Sequence, residues 1–286
     1  MNVAVLFALL SLLCVGINDV VFKRYSRKTR SRGMYLSGIG LMWLVLQCLL
    51  MHFNGEAFAT DANTILWGIA GGLLLTIANL LLLECFTHLD VSLGSSIYRL
   101  NTIGVVVLSY LFLAESLDAI KLLAIACGVV AVLLLYQRPD RVVGVQVFGL
   151  SFWIAILASV LRASYGVTTK AGLTLGANRS TIVALFALSW ILGGLCYAGF
   201  RERRVIITTK KIGYSALSGT LVFLNVNFLV AGLEYGEASI VVPIANLGFL
   251  VAFVIAVVLR MERLSLRKCL ALGCAILSIV LLSKIS

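Results

Sequence analysis

The amino-acid sequence predicts an all-α membrane protein, with ten transmembrane helices in two inverted five-helix repeats around a central cavity. Three observations carry this. First, 61% of the 286 residues are hydrophobic, 12% are charged and two are proline. That balance is too apolar to cover a soluble surface of this size. Second, apolar runs of about 20 residues recur along the chain, each long enough to cross a hydrocarbon core about 30 Å thick. Third, the chain repeats itself at a shift of 147 residues. A β-barrel would instead show shorter, strictly alternating segments.

The runs place helices over residues 3–22, 34–53, 64–86, 91–113, 119–136, 147–168, 180–200, 212–233, 238–259 and 267–284. The first run has no basic residues before it and no small-residue cleavage site. Its charges follow it, which reads as a retained span and not a signal peptide. The connections are short and leave no room for a soluble catalytic domain. The seven cysteines (14, 48, 85, 127, 196, 269 and 274) all fall in predicted spans. They have no CxxC spacing, so they read as small apolar fillers, with neither a disulfide framework nor a zinc site. No phosphate-binding Walker sequence occurs, so the chain does not read as an ATPase.

The formal net charge of +11 would suggest nucleic acid in a soluble protein. Here the charge sits in the loops. Lys23, Arg24, Arg27, Lys28, Arg30 and Arg32 fill the first, and Arg138 and Arg141 the fifth. The seventh holds Arg201, Arg203, Arg204, Lys210 and Lys211, and the ninth Arg260, Arg263, Arg267 and Lys268. The other loops hold Lys121, Lys170, Arg179 and Lys284. The positive-inside rule puts the odd loops in the cytoplasm and both termini outside. The expected location is the plasma (inner) membrane, in contact with lipid and without a nucleic-acid partner. A monomer is expected, with an oligomer left open.

The repeat is registered by residues that seldom match by chance. At the 147 shift Trp43 meets Trp190, Lys23 meets Lys170, Asp90 meets Glu237 and Ser92 meets Ser239. Glu115 meets Glu262, Leu117 meets Leu264, Lys121 meets Lys268 and Cys127 meets Cys274. The units are residues 1–140 and 146–286. Each has five spans, an odd number, so the second enters the membrane upside down. Inverted repeats about an in-plane pseudo-two-fold axis let two equivalent halves exchange conformations, which is the basis of alternating access.

With the repeats aligned, "LDVSLGSSIYRLNTIGVVVLSYLFLAESLD" and "GEASIVVPIANLGFLVAFVIAVVLRMERLS" resemble the fourth span of EamA-type repeats in the drug/metabolite transporter superfamily. The exits read Ala114-Glu115-Ser116-Leu117 and Met261-Glu262-Arg263-Leu264. Pro243-Ile244-Ala245-Asn246 looks like that family's helix-midpoint motif. "CVGINDVVFK" and "LRASYGVTTK" resemble the first span of each half, ending in Lys23 and Lys170. The resemblance covers nearly the whole chain and implies a transporter fold. The first repeat departs from the pattern: Ser96 and Arg99 stand where the second has Pro243 and Asn246.

Charge inside the membrane marks the candidate site. An arginine near mid-bilayer costs on the order of 2.5–3.5 kcal/mol by insertion scales, so it faces a cavity or a partner. Arg99 lies about 12 Å into its span, on one helical stripe with Ser92, Ser95 and Thr102. Asp19 and Glu84, near the cytoplasmic ends of their spans, are candidates for an ion pair with Arg99 or for proton coupling. Arg162, with Ser159, Tyr165 and Thr169 on its face, has no acidic residue at its depth. Glu234 is its closest candidate partner. The expected cavity set is Asn18, Asn79, Tyr98, Arg99, Asn101, Arg162, Tyr165, Asn225, Asn227 and Asn246, with Pro243 kinking its helix and freeing a carbonyl. The alternative for the amides and hydroxyls is hydrogen bonding between helices.

The sequence thus leads to a secondary-active transporter, an exporter, of a small polar metabolite. The two arginines lean it toward amino acids, organic acids or other anions. Efflux of drugs or lipophilic cations by the same fold, and a non-transporting membrane assembly role, are the alternatives. His52 and His88 lie near span ends and build no catalytic or metal cluster, so no enzyme, cofactor or metal is expected.

Overall fold

A computed structural model describes residues 2–26, 31–88, 99, 101–135, 145–203, 209–258 and 266–285. The described residues form α-helices: α1 (Val3–Ser26), α2 (Arg32–Phe53), α3 (Ala62–His88), α4 (Asn101–Leu113), α5 (Ala119–Leu135), α6 (Val145–Thr174), α7 (Arg179–Tyr197), α8 (Thr209–Tyr235), α9 (Ala238–Asn246), α10 (Phe249–Val258) and α11 (Leu266–Ile285). A π-helical turn, Ala198–Glu202, extends α7. Among these residues seven helical segments are long and apolar enough to cross a membrane, with α9 and α10 counted as one. Segments Asn101–Leu113, Ala119–Leu134 and Cys269–Ile285 are apolar but shorter. Leu66, Leu111, Phe112, Trp153 and Phe200 point outward. An apolar core wearing an apolar coat is what lipid requires, because each helix satisfies its own backbone.

The 147-residue period reappears in the helix boundaries. α2, α3 and α5 begin at Arg32, Ala62 and Ala119, and α7, α8 and α11 at Arg179, Thr209 and Leu266. The caps match too. Ser31 Oγ accepts the Met34 N–H (3.2 Å) to start α2, and Asn178 Oδ1 accepts the Thr181 N–H (2.9 Å) to start α7. Each satisfies one of the orphan donors of a first turn.

Equivalent helices meet. α2 packs on α7 and α5 on α11, while α1 lies on α8 and α6 on α3. The α2–α7 contact is made by bare backbone. A side chain at Gly33 would meet Gly194 O and Ala198 N at 2.6 Å, and one at Gly194 would meet Ser37 N at 2.6 Å. Small residues allow this approach in a membrane, where dispersion and not water drives association. Further along, Trp43 sits edge-on to its equivalent Trp190 at 5.8 Å between ring centroids.

The loops sort into two ends. At one, Ala59 N donates to Thr181 Oγ1 (3.0 Å), Asn63 Nδ2 to Leu175 O (2.7 Å) and Lys170 Nζ to Leu233 O (2.7 Å). At the other, Arg32 N donates to Glu202 Oε1 (2.6 Å) and Arg201 Nε to Glu84 Oε1 (2.8 Å). We call these the 59-end and the 32-end.

The expected ninth span is broken. Pro243 lies inside α9, but the helix stops further on, at Leu247 and Gly248. There Leu247 N turns to Ile244 O (3.1 Å) and Leu250 N to Leu247 O (2.9 Å). These tight bonds leave the Asn246 carbonyl without its usual helical donor. Gly248 packs against α1, where a Cβ would come 2.8 Å from the Val15 side chain.

Candidate functional site

The candidate site lies at the broken helix. Its free carbonyl at Asn246 accepts a 2.8 Å hydrogen bond from Arg99 Nη1. Arg99 and Asn246 are 147 residues apart, so two equivalent positions bond to each other. The other guanidinium nitrogen, Nη2, makes an ion pair with Asp19 of α1. The guanidinium also lies over the Phe249 ring, 5.3 Å from its centroid. Each contact suits a planar cation held in a poorly solvated place.

The Asn246 side chain extends the network. Its Nδ2 donates to Asn101 Oδ1 (2.5 Å) and to Thr102 Oγ1 (3.1 Å), both buried on α4. The break in the second half is therefore tied to the start of α4 in the first. Thr102, Gly128, Pro243 and Ser278 join Arg99 and Asn246 around a cleft of about 10 Å³. That space holds about one water. Among the described residues this cleft is too small for a metabolite.

Of the two acids proposed for Arg99, Asp19 is the partner. Glu84 is not: it pairs with Arg201 at the 32-end, half-buried at the edge of the bundle. The correction has a simple cause. Asp19 lies on α1, which packs directly on α9 and α10 beside the break, whereas Glu84 is near the end of α3, which packs on α6 and α7.

Arg162 is placed differently. Its guanidinium lies over Tyr165, 5.1 Å from the ring centroid, and among the described residues it has no carboxylate partner. Glu234 pairs with Arg179 instead, at 3.0 Å. Arg162 stands one turn before Gly166, where α6 meets Val242 of α9 and Val105 of α4. Tyr165 is buried edge-on against Phe186, 5.2 Å away.

The remaining amides are dispersed. Asn225 accepts a 2.6 Å bond from Ser11, joining α8 to α1. Asn227 Nδ2 donates to Gln47 Oε1 (2.8 Å), joining α8 to α2. Asn79 donates to Leu75 O of its own helix at 2.7 Å. Asn18 Oδ1 is buried without a hydrogen-bond partner among the described residues, next in sequence to Asp19. Ser92, Ser95 and Tyr98 lie outside the described residues. Gln47, fully buried, joins this group although it lies outside the set expected from the sequence; its Nε2 donates to Ser180 O at 3.2 Å.

Comparison with known proteins agrees with this architecture. A solved crystal structure superposes with a TM-score of 0.83 over 99% of this chain and 96% of its own, at 12% sequence identity, which shows a shared fold. An uncharacterised protein of Methanocaldococcus jannaschii is 33% identical over 84 residues, which is 29% of this chain. The match spans 61% of that protein's length. The model of the EamA-like transporter family matches twice, at residues 2–137 and 149–284. Two copies of one transporter unit, side by side over nearly the whole sequence and built of apolar helices, make this chain a multi-pass membrane protein of the EamA-like transporter family.

Proposed function

We propose that this protein exports a small polar metabolite carrying a carboxylate or phosphate, by alternating access between two halves inserted in opposite senses. The observation that carries the reading is the charge balance at depth. Asp19 neutralises Arg99, and Arg162 has no carboxylate partner among the described residues. The central helices therefore carry a surplus of positive charge. A planar guanidinium in a poorly solvated setting suits a carboxylate or phosphate, which it binds through paired N–H donors. A pocket for lipophilic cations would need the opposite balance. Meeting of the equivalent residues Arg99 and Asn246 supports a pseudo-two-fold centre there, where a site must lie to be reached from both sides. In this reading Asp19 couples the transport, because a substrate anion would compete with it for Arg99.

The test is uptake into proteoliposomes of amino acids, organic acids and phosphorylated metabolites. Arg162→Gln is expected to fold and insert but to lower uptake of the transported anion at least tenfold, with Arg162→Lys retaining part of it. Uptake unchanged by Arg162→Gln would remove the anion site from Arg162.

A further inference from the structure

At the 59-end the first repeat grips the second through side chains that the proposed binding site does not use. Glu115, in the turn between α4 and α5, is buried. Its two carboxylate oxygens accept the N–H groups of Ala238 (2.7 Å) and Ser239 (2.9 Å), the first donors of α9. Lys121 of α5 is fully buried. Its Nζ makes an ion pair with Glu237 and donates to Ser116 O (2.7 Å) and Ser239 Oγ (3.2 Å). All three N–H donors of the ammonium are thereby used.

The grip is local, polar and strained. Ala114, just before Glu115, has φ of 52°, a left-handed conformation that a residue with a Cβ adopts at a cost. This turn brings Glu115 against the first N–H donors of α9. A hydrophobic seam would resist parting in proportion to its area. A few hydrogen bonds and one ion pair, with Glu237 already 41% exposed, instead exchange protein partners for water as they open. The sequence period pairs each member of the set with a like residue: Glu115 with Glu262, Lys121 with Lys268, Glu237 with Asp90 and Ser239 with Ser92.

We infer that Glu115, Lys121, Glu237 and Ser239 form a latch that closes the 59-end over the Arg99–Asn246 centre, and that its release opens this end. The latch holds the first turn of α9, the helix whose far end bears Asn246. Movement of that turn is carried along a nine-residue helix to the break. The inference rests on the alternating-access reading, but its test needs no substrate.

In a cysteine-free background, Thr102→Cys places one thiol beside the closed cleft. Membrane-impermeant maleimide is applied from the 59-end or from the 32-end to protein in oriented proteoliposomes. Glu115→Gln and Lys121→Gln are expected to raise the labelling rate from the 59-end at least tenfold, while the rate from the 32-end stays level or falls. Lys121→Arg, and Arg179→Gln, which breaks an exposed ion pair at the same end, keep the parent rate. Glu237→Gln, at a side chain 41% exposed, is the milder variant that carries the test if Lys121→Gln fails to fold. Unchanged labelling from the 59-end in folded variants would overturn the latch. An equal rise from both ends would also overturn it, since that is general loosening. Absence of uptake for every solute tested would count against the transport reading alone and leave the labelling result standing.

Discussion

Asp19→Asn is expected to destabilise the protein by about 2–3 kcal/mol, and Arg99→Gln by a similar amount. A fully buried pair that loses one partner costs about 3–5 kcal/mol, because the other charge is left without compensation. The lower figure reflects the partial exposure of both groups, 19% for the Arg99 side chain and 37% for Asp19. The double variant Asp19→Asn/Arg99→Gln should recover much of the loss. It removes both charges and keeps amides that can still bond the Asn246 carbonyl. Thermal unfolding of the purified protein in detergent, run as a double-mutant cycle, measures this. Additive losses would mean that the two groups do not act as a pair.

The second large effect is steric. Gly194→Ala puts a methyl group within 2.6 Å of the Ser37 backbone nitrogen and 2.7 Å of Gly33 O. Backbone cannot rotate out of the way, so α2 and α7 must separate and the Trp43–Trp190 contact beyond them must shift. The expected cost is about 1–3 kcal/mol. Gly273→Ala is the control: it lies within α11 with nothing within 4 Å of the new methyl group. It should stabilise by a few tenths of a kcal/mol up to about 1, through helix propensity. Melting temperatures of the two variants should move in opposite directions. If Gly194→Ala melts with or above the parent, the helices do not pack this closely.

Much of this architecture was legible in the sequence because duplication writes each constraint twice. The 147 register fixed by Trp43, Glu115 and Lys121 reappears in helix starts and in the caps Ser31 and Asn178. Asp19 was one of two acids named for Arg99, since both end on one side, and helix neighbours decide between them. Pro243 predicts a kink that frees a carbonyl, but the carbonyl that Arg99 bonds is Asn246's, freed by the break at Leu247–Gly248. What could not be read was which one. A proline removes a single donor, and the break falls a turn later, at Leu247–Gly248, where the chain also packs closely on α1. The bond from Arg99 to its own equivalent needed three dimensions. The grip at Glu115 and Lys121 had a signal in hand, four polar residues repeated at one register. In sequence Glu115 reads as part of a family exit motif and Lys121 as a loop charge, so neither points to a contact between the repeats. Asn225 and Asn227 look alike in sequence to Asn246; their partners Ser11 and Gln47 lie on distant helices that periodicity does not bring together.

Alternating access by exchange of equivalent halves requires that the two halves enter the membrane in opposite senses. The sidedness of two equivalent loop positions tests this most directly. Glu56 and Arg203 are both exposed and stand 147 residues apart. In a cysteine-free background, Glu56→Cys and Arg203→Cys are exposed in turn to a membrane-impermeant maleimide, in intact cells and after permeabilisation. Inverted halves, oriented by the positive-inside rule, predict that Glu56→Cys reacts in intact cells and that Arg203→Cys reacts only after permeabilisation. Reaction of both positions from the same side would contradict the inverted repeat, and with it alternating access by exchange of equivalent halves.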